Sequence, residues 1–141
     1  MLVSDLMNPE VVTAQADESV SSVARLMSRC NLGCIPVVSG GKLKGLCTDR
    51  DIVLRCIAAG ESADTTPVSA IMSGEPVHVS PDDDTLTASR LMARSQIRCL
   101  PVLDNGKLVG MLSLGDLARC TACDMEAADA LSEISTNVRR R

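Results

Sequence analysis

The sequence has no Phe, Tyr or Trp and a single His, His78. Without aromatic rings it has no platform for stacking nucleic-acid bases, which weighs against single-strand binding surfaces and RNA-recognition sheets. The core must instead be built from Leu, Ile, Val, Ala, Met and Cys. No run of apolar residues approaches the roughly 18 needed to cross a bilayer. Asp5 interrupts the place where a secretory leader would need its apolar stretch. A membrane role is therefore not expected, and the chain is expected to be cytoplasmic. Positive charge is also scarce: 14 Lys and Arg face 18 Asp and Glu, a net charge of −4. An acidic chain does not attract a phosphate backbone over long range, so no nucleic-acid partner is expected. The only basic block is Arg139-Arg140-Arg141, read as a solvated tail. Dinucleotide fingerprint, phosphate-binding P-loop and nucleophile elbow are all missing from the sequence. The expectation is a protein that is not an enzyme, with no catalytic cofactor.

What is present is repetition. Shifted by 65 positions, residues 3–55 fall on 68–120 without a gap, and about 18 of the roughly 53 pairs are identical. Arg25-Leu26-Met27 falls on Arg90-Leu91-Met92. Cys34-Ile35-Pro36-Val37 falls on Cys99-Leu100-Pro101-Val102, and Asp51 on Asp116. The chain reads as a first repeat over residues 1–60, a linker over 61–67, a second repeat over 68–120, and a C-terminal amphipathic helix and tail over 121–141.

Each repeat reads in the order β-α-β-β-α after a short leading turn (Ser4–Met7, Ser69–Met72). A β-branched segment (Val11–Thr13, Val77–Val79) precedes a helix near Ser19–Cys30 whose apolar face holds Val20, Val23, Met27 and Cys30. Asp17 in one copy, and Asp82 to Asp84 in the other, offer N-caps. Leu86 faces Ser21 while Val20 faces Thr85, which predicts that the second helix enters one residue out of phase. Two strands then meet at Ser39-Gly40-Gly41 or Asp104-Asn105-Gly106, where a hairpin needs positive φ. A final helix runs over Asp49–Ala59 or Leu114–Cys120. A three-stranded sheet of about 55 residues cannot bury enough surface alone. The expected fold is therefore α+β, with the two repeats packed sheet to sheet in pseudo-twofold symmetry and two equivalent clefts between them. Beyond the repeats, Met125, Ala128, Leu131, Ile134 and Val138 read as one helical stripe.

Gly45-Leu46-Cys47-Thr48-Asp49-Arg50-Asp51 and Gly110-Met111-Leu112-Ser113-Leu114-Gly115-Asp116 share one pattern: Gly, two apolar residues, a hydroxyl residue, two spacers, Asp. Ser/Thr-x-x-Asp at a helix start resembles a capping box, which alone would explain the spacing. The same geometry can also hold a ligand. Free N–H groups at the helix start suit a phosphate, Thr48 or Ser113 can donate a hydroxyl, and Asp51 or Asp116 can accept from two vicinal ribose hydroxyls. Gly45 and Gly110 would leave room for close approach. Arg50 beside the first Asp, and Arg98 before Cys99, could each reach a phosphate or lie on the surface.

The paired repeat, the Ile/Leu-Pro-Val strand and the doubled Gly-x-x-Thr/Ser-x-x-Asp ending resemble a tandem cystathionine-β-synthase (CBS) domain pair, the Bateman module, over residues 3–120. Thr48-Asp49-Arg50-Asp51-Ile52 is similar to small stand-alone bacterial members. The resemblance implies a sensor that binds AMP, ADP, ATP or S-adenosylmethionine in clefts between the repeats and signals to a protein partner the sequence does not name. It implies that Asp51 and Asp116 hold ribose and that Thr48 and Ser113 contact ribose or phosphate. It further implies that backbone at Thr13-Ala14, His78-Val79, Cys34-Ile35-Pro36 and Cys99-Leu100-Pro101 reads the adenine edge. It implies a homodimer formed through helices, with Ile52, Val53, Cys56 and Ile57 as contacts.

Two other readings stand beside it. Cys120 and Cys123 form a lone CxxC, which a zinc site would have to complete with two more ligands; a thiol- or zinc-linked sensor is the alternative this allows. A purely structural dimerisation module with unused clefts is the other. The seven cysteines are expected to be reduced, with Cys34 and Cys99 in or near the core.

Overall fold

The structure is a computed structural model. It describes residues 1–120 and 123–139, with the side chains of that last stretch described as far as Thr136. Arg140 and Arg141 of the basic tail, and the side chains of Arg139 and Val138, lie outside the described residues.

The fold is α+β with two sheets. The first half contains α1 (Val3–Leu6), β1 (Ala14–Gln15), α2 (Val20–Cys30), β2 (Cys34–Ser39), β3 (Lys42–Thr48) and α3 (Asp49–Asp51), which runs on as a π-helical stretch over Ile52–Ile57. The second half contains a 3-10 turn (Val68–Ala70), β4 (Ser73–Gly74), α4 (Thr85–Ser95), β5 (Cys99–Asp104), β6 (Lys107–Ser113), α5 (Leu114–Ala118) and α6 (Asp124–Arg139).

The repeats are units of sequence, and the compact units are divided differently. One is contiguous, Val12–Pro76; the other is composite, Met1–Val11 with Val77–Arg141. In the contiguous unit the sheet order is β1-β2-β3-β4, with β1 parallel to β2 and the other pairs antiparallel. Its fourth strand is the leading segment of the second repeat. In the composite unit β5 pairs with β6, Val79 bridges Val102 in parallel, and Asn8 bridges Met111 antiparallel. There the edge position is filled by the leading segment of the first repeat. The expected three-stranded sheet thus gains a fourth partner in each unit.

Local chemistry explains the elements. Ser19, not Asp17, caps α2 by accepting from Ser22 N–H, and Asp84 caps α4 by accepting from Leu86 N–H. Both helices end on a residue in the left-handed region, Asn31 and Gln96. The hairpins turn as expected: Gly40-Gly41 and Asn105-Gly106 all have positive φ, which fits the twist of the flanking strands. The linker is pinned over the start of α2, where Ala63 and Thr66 carbonyls accept from Ser21 and Val20 N–H groups.

The predicted phase slip in α4 is absent. α2 and α4 are 65 residues apart at both ends. Thr85 takes the buried place of Val20, and Leu86 is left partly exposed. Thr is close to Val in shape, and its hydroxyl accepts from the Cys123 thiol at 3.6 Å, so the polar atom is not orphaned. Cys30, placed with the buried stripe by its spacing, is exposed in the last turn of α2.

α6 is amphipathic as expected, but turned. Its buried stripe is Cys123, Ala127, Ala130 and Ile134, which joins Ala88, Met92, Leu100, Leu112 and Leu117 in the composite core. Among the described side chains of the expected stripe, Ile134 is buried, whereas Met125, Ala128 and Leu131 face outward. The small Ala127 and Ala130 allow α6 to lie close on α4, which larger residues would prevent. The core of the contiguous unit gathers Val20, Val23, Met27, Ile35, Val37, Cys47, Cys56 and Val68.

Candidate ligand site

The strand ends place the predicted residues together within each unit. In the contiguous unit Cys34 stands opposite Thr48, and Ala14 stands beside Val37. The parallel register brings Thr13 next to Pro36. In the composite unit Cys99 stands opposite Ser113 and Val79 beside Val102, which brings His78 next to Pro101. The two arrangements repeat residue for residue. Ile35, Pro36, Leu100, Pro101 and Val79 are buried, whereas Thr13 and His78 are exposed. Cys34 and Cys99 are half-buried, and both are disulfide-bonded, against the expectation that all seven cysteines are reduced.

The strand-to-helix turn is also repeated. Thr48 N–H donates to Asp51 Oδ2 at 2.9 Å, and Asp51 N–H donates to Thr48 Oγ1 at 3.1 Å. Ser113 N–H donates to Asp116 Oδ2 at 2.8 Å, and Asp116 N–H donates to Ser113 Oγ at 3.0 Å. Both are complete capping boxes. The structural reading of the spacing is therefore realised in both copies, and it uses one carboxylate oxygen of each Asp. A carboxylate has about four lone-pair directions, so the other oxygen, Oδ1, is left for further partners.

In each copy that oxygen meets an arginine from the next helical turn, and the two arginines are held differently. Arg55 lies 3.8 Å from Asp51 Oδ1 and donates from Nη1 to the carbonyls of Ile71 and Met72, both at 3.3 Å. Arg119 binds Asp116 Oδ1 directly and is otherwise exposed. Neither arginine was singled out by the sequence, although each sits one helical turn beyond its Asp.

Arg50 and Arg98 are both exposed. The Arg98 carbonyl accepts from Leu114 N–H at 2.7 Å, and the Gly33 carbonyl accepts from Asp49 N–H at 3.0 Å, fixing both helix starts alike. Cys47, buried behind Thr48, has its thiol pushed up to about 12 by burial and then by Asp51 and Asp49, so it stays protonated.

The motif glycines do something other than admit a ligand. A Cβ on Gly45 would meet Ser73 and Met72, and one on Gly110 would meet Met7 and Asn8. Both glycines admit the chain's own leading segments. Farther along β5, a hollow of about 430 Å³ is lined by His78, Val79, Ser80, Asp82, Asp83 and Leu103 with the Asp104–Gly106 turn. It lies toward the hairpin end of β5, whereas Asp116 serves the other end. Its three aspartates do not suit a phosphate.

The CBS-domain family profile matches residues 3–57 and again 68–122. The chain belongs to the CBS-domain family. It is 45% identical over 133 residues to the CBS domain-containing protein YhcV of Bacillus subtilis, covering 94% of each chain. Among solved structures it resembles the CBS domain protein PAE2072 of Pyrobaculum aerophilum complexed with AMP, with a TM-score of 0.82, 26% identity, and coverage of 92% of this chain and 99% of that one. It also resembles the CBS domain pair of protein MJ0100 in complex with 5′-methylthioadenosine and S-adenosyl-L-methionine, with a TM-score of 0.78, 25% identity, and coverage of 84% and 94%. This tandem CBS protein is thus a regulatory ligand-binding module by family.

The alternative cysteine site gains little from the structure. The Cys123 thiol is buried against Thr85, and burial raises its pKa, while Cys120 lies 3.5 Å from the Met1 sulfur. Among the described residues no three His, Cys, Asp or Glu side chains come together as metal ligands. Cys56, named as an interface contact, is a core residue whose thiol donates to the Glu61 carbonyl at 3.6 Å; Val53 and Ile57 are exposed. No described helix is long and apolar enough to cross a membrane.

Proposed function

We propose that this CBS pair senses an adenosine-containing ligand, an adenine nucleotide or S-adenosylmethionine, and carries no catalysis of its own. Asp51 and Asp116 accept from the ribose hydroxyls through Oδ1 while Oδ2 stays in the capping box. Thr48 and Ser113 turn their hydroxyl protons to ribose or phosphate, since each oxygen already accepts only from the Asp N–H. Backbone at Thr13, Cys34–Pro36, His78-Val79 and Cys99–Pro101 faces the adenine edge, and exposed Arg50 and Arg98 are available to phosphate. The observation that supports this reading is the doubled capping box, which fixes a carboxylate at the head of a helix and leaves its other oxygen shared only with the side chain of Arg55 or Arg119, each more than half exposed and able to yield to a ribose hydroxyl. A ligand bound there shifts the chain between arrangements to the extent that it binds one better. The output passes to a protein partner, and the module self-associates.

Isothermal titration with AMP, ATP and S-adenosylmethionine tests the reading. Asp51→Asn and Asp116→Asn are the appropriate variants, because Asn still accepts the capping bond while weakening the ribose contact. Full retention of affinity in the double variant would remove the assigned role of both residues.

A further inference from the structure

The arginines that meet the two motif carboxylates are not repeat equivalents. Shifted by 65 positions, Arg55 falls on Cys120 and Arg119 on Leu54. Each pairing therefore belongs to its own copy, and the two copies differ at this point.

Arg55 is anchored. Its Nη1 donates to the Ile71 and Met72 carbonyls, while its Nε stands 3.8 Å from Asp51 Oδ1. When that carboxylate takes another partner, Arg55 keeps two acceptors and stays in place. Arg119 has no such anchor. Among the described residues its guanidinium binds Asp116 Oδ1 alone, through Nη2, and its side chain is 74% exposed. The other end of the guanidinium lies over Gly115. A Cβ on Gly115 would meet Arg119 Nη1 at 3.4 Å and Ser113 Oγ at 3.6 Å, and nothing else within 4 Å. With no side chain at that position, Nη1 and the Ser113 hydroxyl border the same open space. The first copy carries Arg50 there instead.

We propose that Arg119 is an exchange latch that makes the Asp116 site select phosphorylated adenosine ligands. With no ligand bound, Arg119 occupies the oxygen that a ribose hydroxyl needs. A vicinal diol takes over Asp116 Oδ1 and releases the guanidinium. A ligand phosphate then accepts from the freed arginine, whose planar fork matches it with two charge-assisted hydrogen bonds. An adenosine without phosphate breaks the same ion pair and leaves the guanidinium to water. An exposed ion pair is cheap to break, so the preference comes from the new phosphate contact and not from the old pair. The exchange asks only for rotation of a long exposed side chain that already lies beside Ser113. Arg55 cannot follow the same course, because its departure would strip the Ile71 and Met72 carbonyls of their donor. The inference rests on the adenosine reading above and names the ligand class for one of its two sites.

Isothermal titration of the full chain with AMP and with adenosine tests it, in an Asp51→Asn background that leaves the Asp116 site intact. That parent should bind AMP more tightly than adenosine. Adding Arg119→Gln should weaken AMP binding about tenfold and leave adenosine binding within about twofold. Arg119→Lys keeps the charge without the fork and should fall between the two. Added salt should weaken AMP binding more in the parent than in the Arg119→Gln variant. Arg119→Gln removes a single exposed ion pair, so circular dichroism should match the parent. Equal losses for AMP and adenosine, or no loss for either, would overturn the latch while leaving the adenosine reading standing. A wild-type chain that binds neither AMP nor adenosine would overturn that reading, and the latch with it.

Discussion

Gly45 and Ser73 approach so closely that a Cβ on the glycine would lie 2.5 Å from the serine carbonyl oxygen. That oxygen belongs to the backbone of β4 and cannot swing aside. At Gly110 the nearest atom is the Met7 sulfur, 2.6 Å from the same hypothetical Cβ, at the end of a flexible side chain, with the Asn8 carbonyl farther off at 3.2 Å. Gly45→Ala should therefore cost about 2–3 kcal/mol, and Gly110→Ala about half as much. Urea unfolding of the two variants checks the order; equal losses would show that the two leading segments yield alike.

The two motif carboxylates are braced by unequal arginines, and their substitution should differ in kind. Arg55→Gln removes donors from the Ile71 and Met72 carbonyls, at a cost of about 1 kcal/mol. Arg119→Gln removes only an exposed ion pair with Asp116, worth about 0.5 kcal/mol or less. Chemical denaturation measures both, and an Arg119 variant that lost more stability than the Arg55 variant would reverse the assignment.

Cys47 makes stability fall with alkali. In the unfolded chain the thiol ionises near 9.0, whereas in the folded chain it holds its proton up to about 12. Across that window the unfolded state has released a proton that the folded state keeps, so rising pH favours unfolding. The melting temperature should fall between pH 8 and 10.5, and less steeply in Cys47→Ala. In the native protein at pH 8 a maleimide should modify exposed Cys30 and spare Cys47.

The phase of α6 is open to a direct test. Ile134→Ala, inside the composite core, should cost about 2–4 kcal/mol, while Leu131→Ala on the outward side should be within about 0.5 kcal/mol of wild type. Thermal denaturation under conditions that keep the chain monomeric separates them.

Much of this fold was legible because the chain states it twice. The hairpin turns, the paired helices and the Thr48–Asp51 and Ser113–Asp116 boxes each rest on a short-range pattern, and a second copy in register confirms it. Longer-range partners were not legible. Met7 and Met72 match each other across the repeat wherever their segments pack, so the sequence could not show that each leaves its own repeat to cover the opposite glycine. The phase of α6 was misread because Ala and Cys line one side and Met, Leu and Ala the other; hydropathy favours the larger side chains, while close packing on α4 selects the smaller. Arg55 and Arg119 escaped notice because they fall outside the aligned motif, at different offsets from their aspartates.

The division of the chain has a consequence for its synthesis. Val12–Pro76 is one uninterrupted stretch, so it can close while later residues are still being added at the ribosome. The composite unit must wait, because Val3 and Met7 are made before that stretch and their partners, Asp83 and Gly110 on β6, after it. A translational pause shortly after Pro76 would leave those early residues without their sheet, exposing apolar surface to chaperones until the remainder emerges.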